Sequence, residues 1–290
     1  MRDTLAGKTI LVTGGTSGIG FIAAHVLADM GATVVIVGRD PARTAEKVAQ
    51  IQRETGNASV SALTADLSSM SQVRDLAGTF LGRYPRLDVL LNNAGAVFLS
   101  RQTTVDGYER TFALNHLAPF LLTELLLDRL KANAPARIVT VSSMAHAGQK
   151  IDFGDVNRTA RGYHAWRAYG ESKLANIMFT YALARRLEGA SVTANTLHPG
   201  FVATNFARNN GAISQIMMML ASPFAISPEQ GAQTSIYLAS SPDVAAISGK
   251  YFIKKKPAKS SDISYDEAAQ ERLWRLSEQM TRMPSQVAAS

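Results

Sequence analysis

A doubly wound α/β fold, built on an open parallel sheet of about seven strands with helices on both faces, is what this 290-residue sequence predicts. Three observations carry that expectation. Short β-branched apolar runs alternate with longer helical patterns along most of the chain. A glycine-rich turn, Gly14 to Gly20, follows the first of those runs and opens a helical one. A second tight segment, Asn92-Asn93-Ala94-Gly95, follows the fourth. Alternation of this kind gives parallel strands joined by right-handed crossovers, with ligands held at the strands' carboxyl ends. A closed β/α barrel competes at this length, but a glycine-rich turn directly after the first strand favours the open, Rossmann-like sheet.

The strand runs fall at 9–12, 33–37, 59–63, 87–91, 137–142 and 191–197, and a last run at 249–253 closes one edge. Helices fill the intervals, the first at 21–30. Residues 205–227 break the rhythm: Ile213, Ile216, Met217 and Leu220 recur at helical spacing outside the series, which reads either as a substrate lid or as a short core helix. A last helix is expected within 260–283, with Leu273, Leu276 and Met280 on one face, and the tail 284–290 is expected to fray. The whole is expected to be one domain with its core at 5–256.

With 46% hydrophobic and 18% charged residues the chain can bury a large core. It has no cysteine, which excludes disulfides, thiolate metal sites and thiol catalysis, and fits a reducing compartment. A strand begins almost at the amino terminus and leaves no space for a cleavable signal, so a cytoplasmic location is expected. The longest apolar stretch, 213–226, is interrupted by Ser214, Gln215, Ser222 and Pro223 and falls short of the ~20 residues of a membrane span. The net charge of +7 is spread without an aromatic-interleaved basic stripe, which argues against nucleic acid and suits a small anionic ligand. The dense run Lys254-Lys255-Lys256 reads as a solvated strand end. His146 and His198 lack paired spacing, so ordinary polar roles are expected and no metal is assigned.

The turn from Gly14 through Thr16, Ser17, Gly18 and Ile19 to Gly20 has the strand-before, helix-after context of a dinucleotide loop. Gly14 permits the tight turn, and Gly18 and Gly20 let backbone N–H groups approach a pyrophosphate at the positive end of a helix. The second strand ends Val37-Gly38-Arg39-Asp40. A glycine stands where an acidic residue would meet a ribose 2'-hydroxyl, and Arg39 offers a guanidinium to a 2'-phosphate, so NADP(H) is expected over NAD(H). The opposite reading leaves Arg39 in solvent and gives the ribose to Asp40. Asp66, beside Leu67 after the third strand, either accepts from an adenine amino group or caps the next helix.

Tyr169 and Lys173 in Tyr-Gly-Glu-Ser-Lys stand four apart, on one helix face. An ammonium beside a phenol favours the phenolate, and each unit of depression from ~10 requires about 1.4 kcal/mol. Ser142 and Ser143 end the fifth strand run, where period-two alternation turns only one of them towards a ligand.

Together these motifs resemble the short-chain dehydrogenase/reductase family of the compact type over residues 8–253, and Val-Ser-Ser-Met-Ala-His at 141–146, Ser-Lys-Leu-Ala-Asn at 172–176 and Ser-Gly-Lys-Tyr-Phe near 248 are similar to its retinol-dehydrogenase-like branch. The resemblance implies a catalytic set of Asn115, Ser143, Tyr169 and Lys173. Tyr169 would exchange a proton with a carbonyl or alcohol oxygen while hydride passes to or from a nicotinamide. Lys173 would hold the nicotinamide ribose and bias the phenol towards ionisation, Ser143 would orient the substrate oxygen, and Asn115 would support a water path to Lys173. It further implies a cofactor contact at Asn93, Ala94 and Gly95 and a nicotinamide border at Pro199, Gly200, Val202 and Thr204. Apolar Trp166, Phe206, Ile213 and Met217 suggest a lipophilic ketone, aldehyde or alcohol. The rival readings are a non-enzymatic NADP-binding regulator and an enoyl-type C=C reductase. By resemblance a homodimer or homotetramer is expected, built on the long helices near Asn115 and Tyr169.

Overall fold

Strand side chains alternate between two apolar layers, and that alternation organises the molecule. The computed structural model describes residues 4–201 and 226–282. Within them the chain runs β1 (Thr9–Thr13), α1 (Gly18–Asp29), β2 (Thr33–Gly38), α2 (Pro41–Thr55), β3 (Val60–Thr64), α3 (Met70–Arg83) and β4 (Val89–Asn92). A short helical turn, Arg110–Phe112, then passes through a π-helical turn, Ala113–Leu117, into α4 (Ala118–Ala132). There follow β5 (Ala136–Val141), α5 (Ala165–Arg186), β6 (Val192–His198), α6 (Pro228–Ser240), β7 (Tyr251–Ile253), β8 (Lys256–Ala258) and α7 (Glu267–Thr281).

The strands form one sheet in the order β3-β2-β1-β4-β5-β6-β7-β8, parallel throughout except for the antiparallel β7–β8 pair. Ile10 and Val12 point into a layer with α1, α2 and α6, while Leu11 points into the layer of α3, α4, α5 and α7. The single-domain, Rossmann-like expectation therefore stands. The reversal of strand order between β1 and β4 opens the crevice in which ligands bind in such sheets.

Differences from the expected elements have local causes. β4 starts at Val89 rather than at residue 87, because Asp88 instead accepts from the Thr9 N–H (2.9 Å) and pairs with Lys8 and Arg86. β8 is an eighth strand of only three residues, and Pro257 within it is tolerated because the strand is an edge. The lysine run is exposed and joins two strand ends: Lys254 and Lys255 both hold left-handed backbone (φ 49° and 65°) and connect β7 to β8 in a two-residue hairpin turn, and Lys256 begins β8. The expected lid, 205–227, lies outside the described residues except for Ile226 and Ser227, and so does the tail 284–290.

α7 packs on α4 and α5, where Trp274 stacks on Phe179 (5.7 Å) and meets Phe120 edge-on (5.1 Å), and Arg186 lies over Trp274 at 3.9 Å. Every residue of α5 from Ala168 to Leu183 is buried within the single chain. The carboxyl-terminal helix thus covers part of α4 and α5, the long helices near Asn115 and Tyr169.

Candidate active site

Backbone geometry at the end of β1 builds a cradle before any side chain contributes. Gly14 turns at φ 67° and Gly18 at φ 53°, both in the left-handed region that glycine adopts freely. A Cβ on Gly20 would lie 2.3 Å from the Gly14 carbonyl oxygen and equally near Asn93 Nδ2, so only glycine lets α1 start this close to the turn. Ser17, the N-cap residue of α1, makes no side-chain cap, and the first turn holds no acidic residue. The helix therefore offers open N–H groups and its positive end to an anion. Thr13 and Asn93 lock the cradle from behind: Thr13 Oγ1 accepts from the Asn93 and Ala94 N–H groups (3.0 and 3.1 Å), and Asn93 Nδ2 donates to the Thr13 carbonyl (2.9 Å).

A cleft of about 550 Å³ runs from this cradle along the carboxyl ends of the strands. Its floor carries the expected loop residues Gly14, Thr16, Ser17, Gly18, Ile19 and Gly20, and Asn93, Ala94 and Gly95 line its middle. Ser143, Tyr169 and Lys173 gather at the far end beside Pro199 and Gly200. A cleft with an anion cradle at one end and an acid/base group at the other fits a nicotinamide dinucleotide.

At the near end the expected Arg39 is joined by Arg43, which the sequence reading passed over. Arg43 occupies the first turn of α2, where the helix dipole disfavours a cation unless an anion is bound; that placement is the signal that points to it. Asp40 has turned away, its Oδ1 accepting from the Arg43 N–H (3.1 Å) as the helix cap. Gly38 is required, since a Cβ there would sit 2.3 Å from Thr44 Oγ1 and 2.6 Å from Thr16 Cγ2. Leu67 lines the cleft, whereas Asp66 does not; Asp66 Oδ1 accepts from the Ser68 N–H and hydroxyl (2.9 and 2.8 Å).

Ser142 and Ser143 diverge as strand alternation requires. Ser142 Oγ is buried and donates to the Lys173 carbonyl (2.7 Å), while Ser143 faces the cleft and is hydrogen-bonded to the Tyr169 hydroxyl. Lys173 Nζ donates to the Val141 carbonyl (2.9 Å) and lies 5.5 Å from the centre of the Tyr169 ring. Asn115 does not line the cleft. It sits in the π-helical turn, where its Oδ1 accepts from Ala96 N–H (2.9 Å) and its Nδ2 donates to the Ala96 carbonyl and to Ser172 Oγ (3.0 Å each). Asn115 Oδ1 and Lys173 Nζ converge on Gly95, where a Cβ would be 3.2 Å from both.

Charge states differ from the simple expectation of a lysine-stabilised phenolate. Burial raises the Tyr169 phenol above its ordinary value, opposed by the Ser143 hydrogen bond, and burial brings the Lys173 ammonium down to about 8. Desolvation is the largest influence on both groups. The Tyr169 hydroxyl carries its proton near neutral pH, as any phenol titrating at or above ~10 does.

Gly170 is a further functional position that the motif hides. A Cβ there would lie 2.5 Å from the Ala145 carbonyl oxygen, so its lack of one lets the turn carrying Ser143 press against α5 beside Tyr169. Trp166 stands half-exposed at the mouth, edge-on to the Tyr169 ring (6.2 Å), with exposed Met144 and Phe201 nearby. Val202, Thr204, Phe206 and Met217 lie outside the described residues. His146 bonds the Ser143 carbonyl and the Ser261 N–H, and His198 Nδ1 accepts from the Met144 N–H (3.3 Å); among the described residues no cluster of His, Asp and Glu has metal-site geometry.

Comparison with known proteins agrees with this geometry. The short chain dehydrogenase family model matches residues 8–213. Human retinol dehydrogenase 13 is 41% identical over 282 residues, covering 94% of this chain and 84% of the relative. A solved protein from Mycobacterium paratuberculosis is 34% identical with a TM-score of 0.78, covering 95% of this chain and 94% of the other. The Pseudomonas aeruginosa RhlG/NADP active-site complex is 29% identical with a TM-score of 0.69, covering 87% and 96%. On the matched motifs, the cradle and the serine–tyrosine–lysine cluster, the chain belongs to the short-chain dehydrogenase family and is retinol-dehydrogenase-like within it.

Proposed function

We propose that the protein is an NADP(H)-dependent oxidoreductase that interconverts a lipophilic ketone or aldehyde with its alcohol. The carbonyl/alcohol chemistry follows from the family and from relatives named retinol dehydrogenases. The observation that carries the reading is the Tyr169 hydroxyl, buried and hydrogen-bonded to Ser143 inside the cleft. A bound nicotinamide supplies the hydride. Tyr169 gives its proton to the carbonyl oxygen, and Ser143 holds that oxygen in place through its hydroxyl. Lys173, anchored by the Val141 carbonyl, keeps a positive charge behind the phenol, and Asn115 beside it supports proton return through water.

The phosphorylated cofactor is favoured by two guanidiniums, Arg39 and Arg43, at the cradle's outer end, with Gly38 in the place of a ribose-binding carboxylate and Asp40 engaged as a cap. Among relatives of solved structure, the RhlG complex contains NADP. Exposed Met144, Trp166 and Phe201 at the mouth suit an apolar substrate.

A panel of lipophilic and charged carbonyls, assayed with NADPH and NADH, tests the reading. Tighter NADPH binding is expected, and Arg39→Ala or Arg43→Ala should each weaken NADPH by roughly tenfold or more while leaving NADH unchanged. Tighter binding of NADH, or turnover confined to charged carbonyls, would overturn it. Tyr169→Phe should lower the rate by roughly 10² to 10⁴ with cofactor affinity retained.

A further inference from the structure

His146 lies three residues beyond Ser143, outside the cleft, and is only 2% exposed. Its Nε2 accepts from the Ser261 backbone N–H at 3.1 Å. A backbone N–H can only donate, so Nε2 carries a lone pair and the single ring proton of a neutral imidazole stands on Nδ1. Nδ1 is 2.6 Å from the Ser143 carbonyl oxygen, to which it donates. That carbonyl also accepts from the His146 N–H (3.2 Å), which closes the tight turn Met144–His146. Burial holds the imidazole below its ordinary pKa, consistent with the neutral form.

The far side of this clamp is firm. Ser261 follows Ser260, whose hydroxyl bonds Tyr181 Oη (2.8 Å) on α5 and Ser264 Oγ (2.7 Å). The His146 ring meets Tyr251 of β7 edge-on (5.2 Å), and the Tyr251 hydroxyl contacts Met144 Sδ (3.7 Å). Ser143, which lines the cleft, is thus held from behind through His146 by a segment 115 positions beyond that histidine.

We propose that His146 is a positioning residue for the carbonyl/alcohol reaction: its Nδ1–H holds the Ser143 carbonyl, strutted by Ser261, and so sets the direction in which the Ser143 hydroxyl meets Tyr169 and the substrate oxygen. The inference rests on the reaction proposed above. A shift of ~1 Å in such a group is enough to change the rate up to about a hundredfold.

Isosteric variants separate the two contacts. Asparagine places an amide N–H near the position of Nδ1, whereas glutamine reaches the position of Nε2. His146→Gln should lower kcat by roughly tenfold or more with NADPH affinity unchanged, and His146→Asn should recover most of that loss. In a Ser143→Ala background the further loss on adding His146→Gln should shrink to under about twofold, because the group being positioned is gone. Equal losses in both backgrounds, or equal damage from Asn and Gln, would overturn the inference. Nitrogen NMR of His146 gives a readout that needs no turnover. A proton on Nδ1 supports the clamp and one on Nε2 overturns it, whereas absence of carbonyl turnover in the wild type would instead refute the reaction assignment.

Discussion

Burial shifts several ionisable side chains in and around the cleft and core. It raises the Tyr169 phenol above its ordinary value, brings Lys173 down to about 8, and brings two histidines, His116 and His198, down to about 4. His116 is enclosed by the rings of Phe112, Phe120 and Phe179; its Nε2 lies 2.8 Å from Ser277 Oγ and its Nδ1 3.3 Å from Asn176 Oδ1. The unfolded chain binds a proton at this ring near pH 6.5, whereas the folded one resists until about 4. The stability this contributes is present in full above pH 6.5 and declines as pH falls towards 4, by about 3 kcal/mol for this residue. Denaturant melts between pH 4 and 7 should therefore show acid destabilisation that becomes shallower in His116→Gln. An unchanged slope would mean that the ring is accessible to protons in the folded state.

Single helices and turns carry roles that individual residues do not explain. α5 brings Tyr169 and Lys173 to the cleft on one face and Glu171 to the other, where it pairs with Arg158 (2.6 Å) and Arg161 (3.1 Å). These pairs tie the loop between Ser143 and α5 to the catalytic helix, with Arg158 held in left-handed backbone (φ 53°). Both ends of the Arg158–Glu171 pair are nearly buried, at 2% and 8% exposure, so Glu171→Gln leaves a desolvated guanidinium and should destabilise by roughly 3–5 kcal/mol. Chemical denaturation measures this, and a loss under about 1 kcal/mol would place the pair among solvated surface bridges. Gly170, on the same helix, sets the spacing to the Ser143 turn. Gly170→Ala should fold, since alanine suits a helix interior, yet lower kcat by roughly tenfold or more as the turn is pushed outward. Wild-type kcat in a folded Gly170→Ala protein would show that the turn yields without disturbing Ser143.

At the scale of the whole molecule, α7 closes the layer formed by α3, α4 and α5. Leu273, Trp274 and Met280 are buried there, each worth about 1.5–3 kcal/mol by area removed from water. Among the described residues no helix is long and apolar enough to cross a membrane. Much of this architecture was legible beforehand because its signals are local. The strand runs, Gly14 to Gly20 and the four-residue step from Tyr169 to Lys173 each act within one turn or strand, where spacing alone sets direction. The choice of Ser143 over Ser142 came from resemblance, and alternation shows only that one of the two faces the ligand. Other features were hidden because their partners are distant in the chain: His146 with Ser261, Gly170 with Ala145 across the cleft wall, Trp274 with Phe120, and the left-handed pair Lys254–Lys255, whose conformation follows from the pairing of β7 with β8. The sequence by itself determined the sheet, the cradle and the shared helix face of Tyr169 and Lys173, since periodicity and backbone freedom are properties of neighbours along the chain. Only the tertiary structure decided which groups are dry, which charges they hold and which faces remain open, since desolvation depends on what the folded chain brings around each residue.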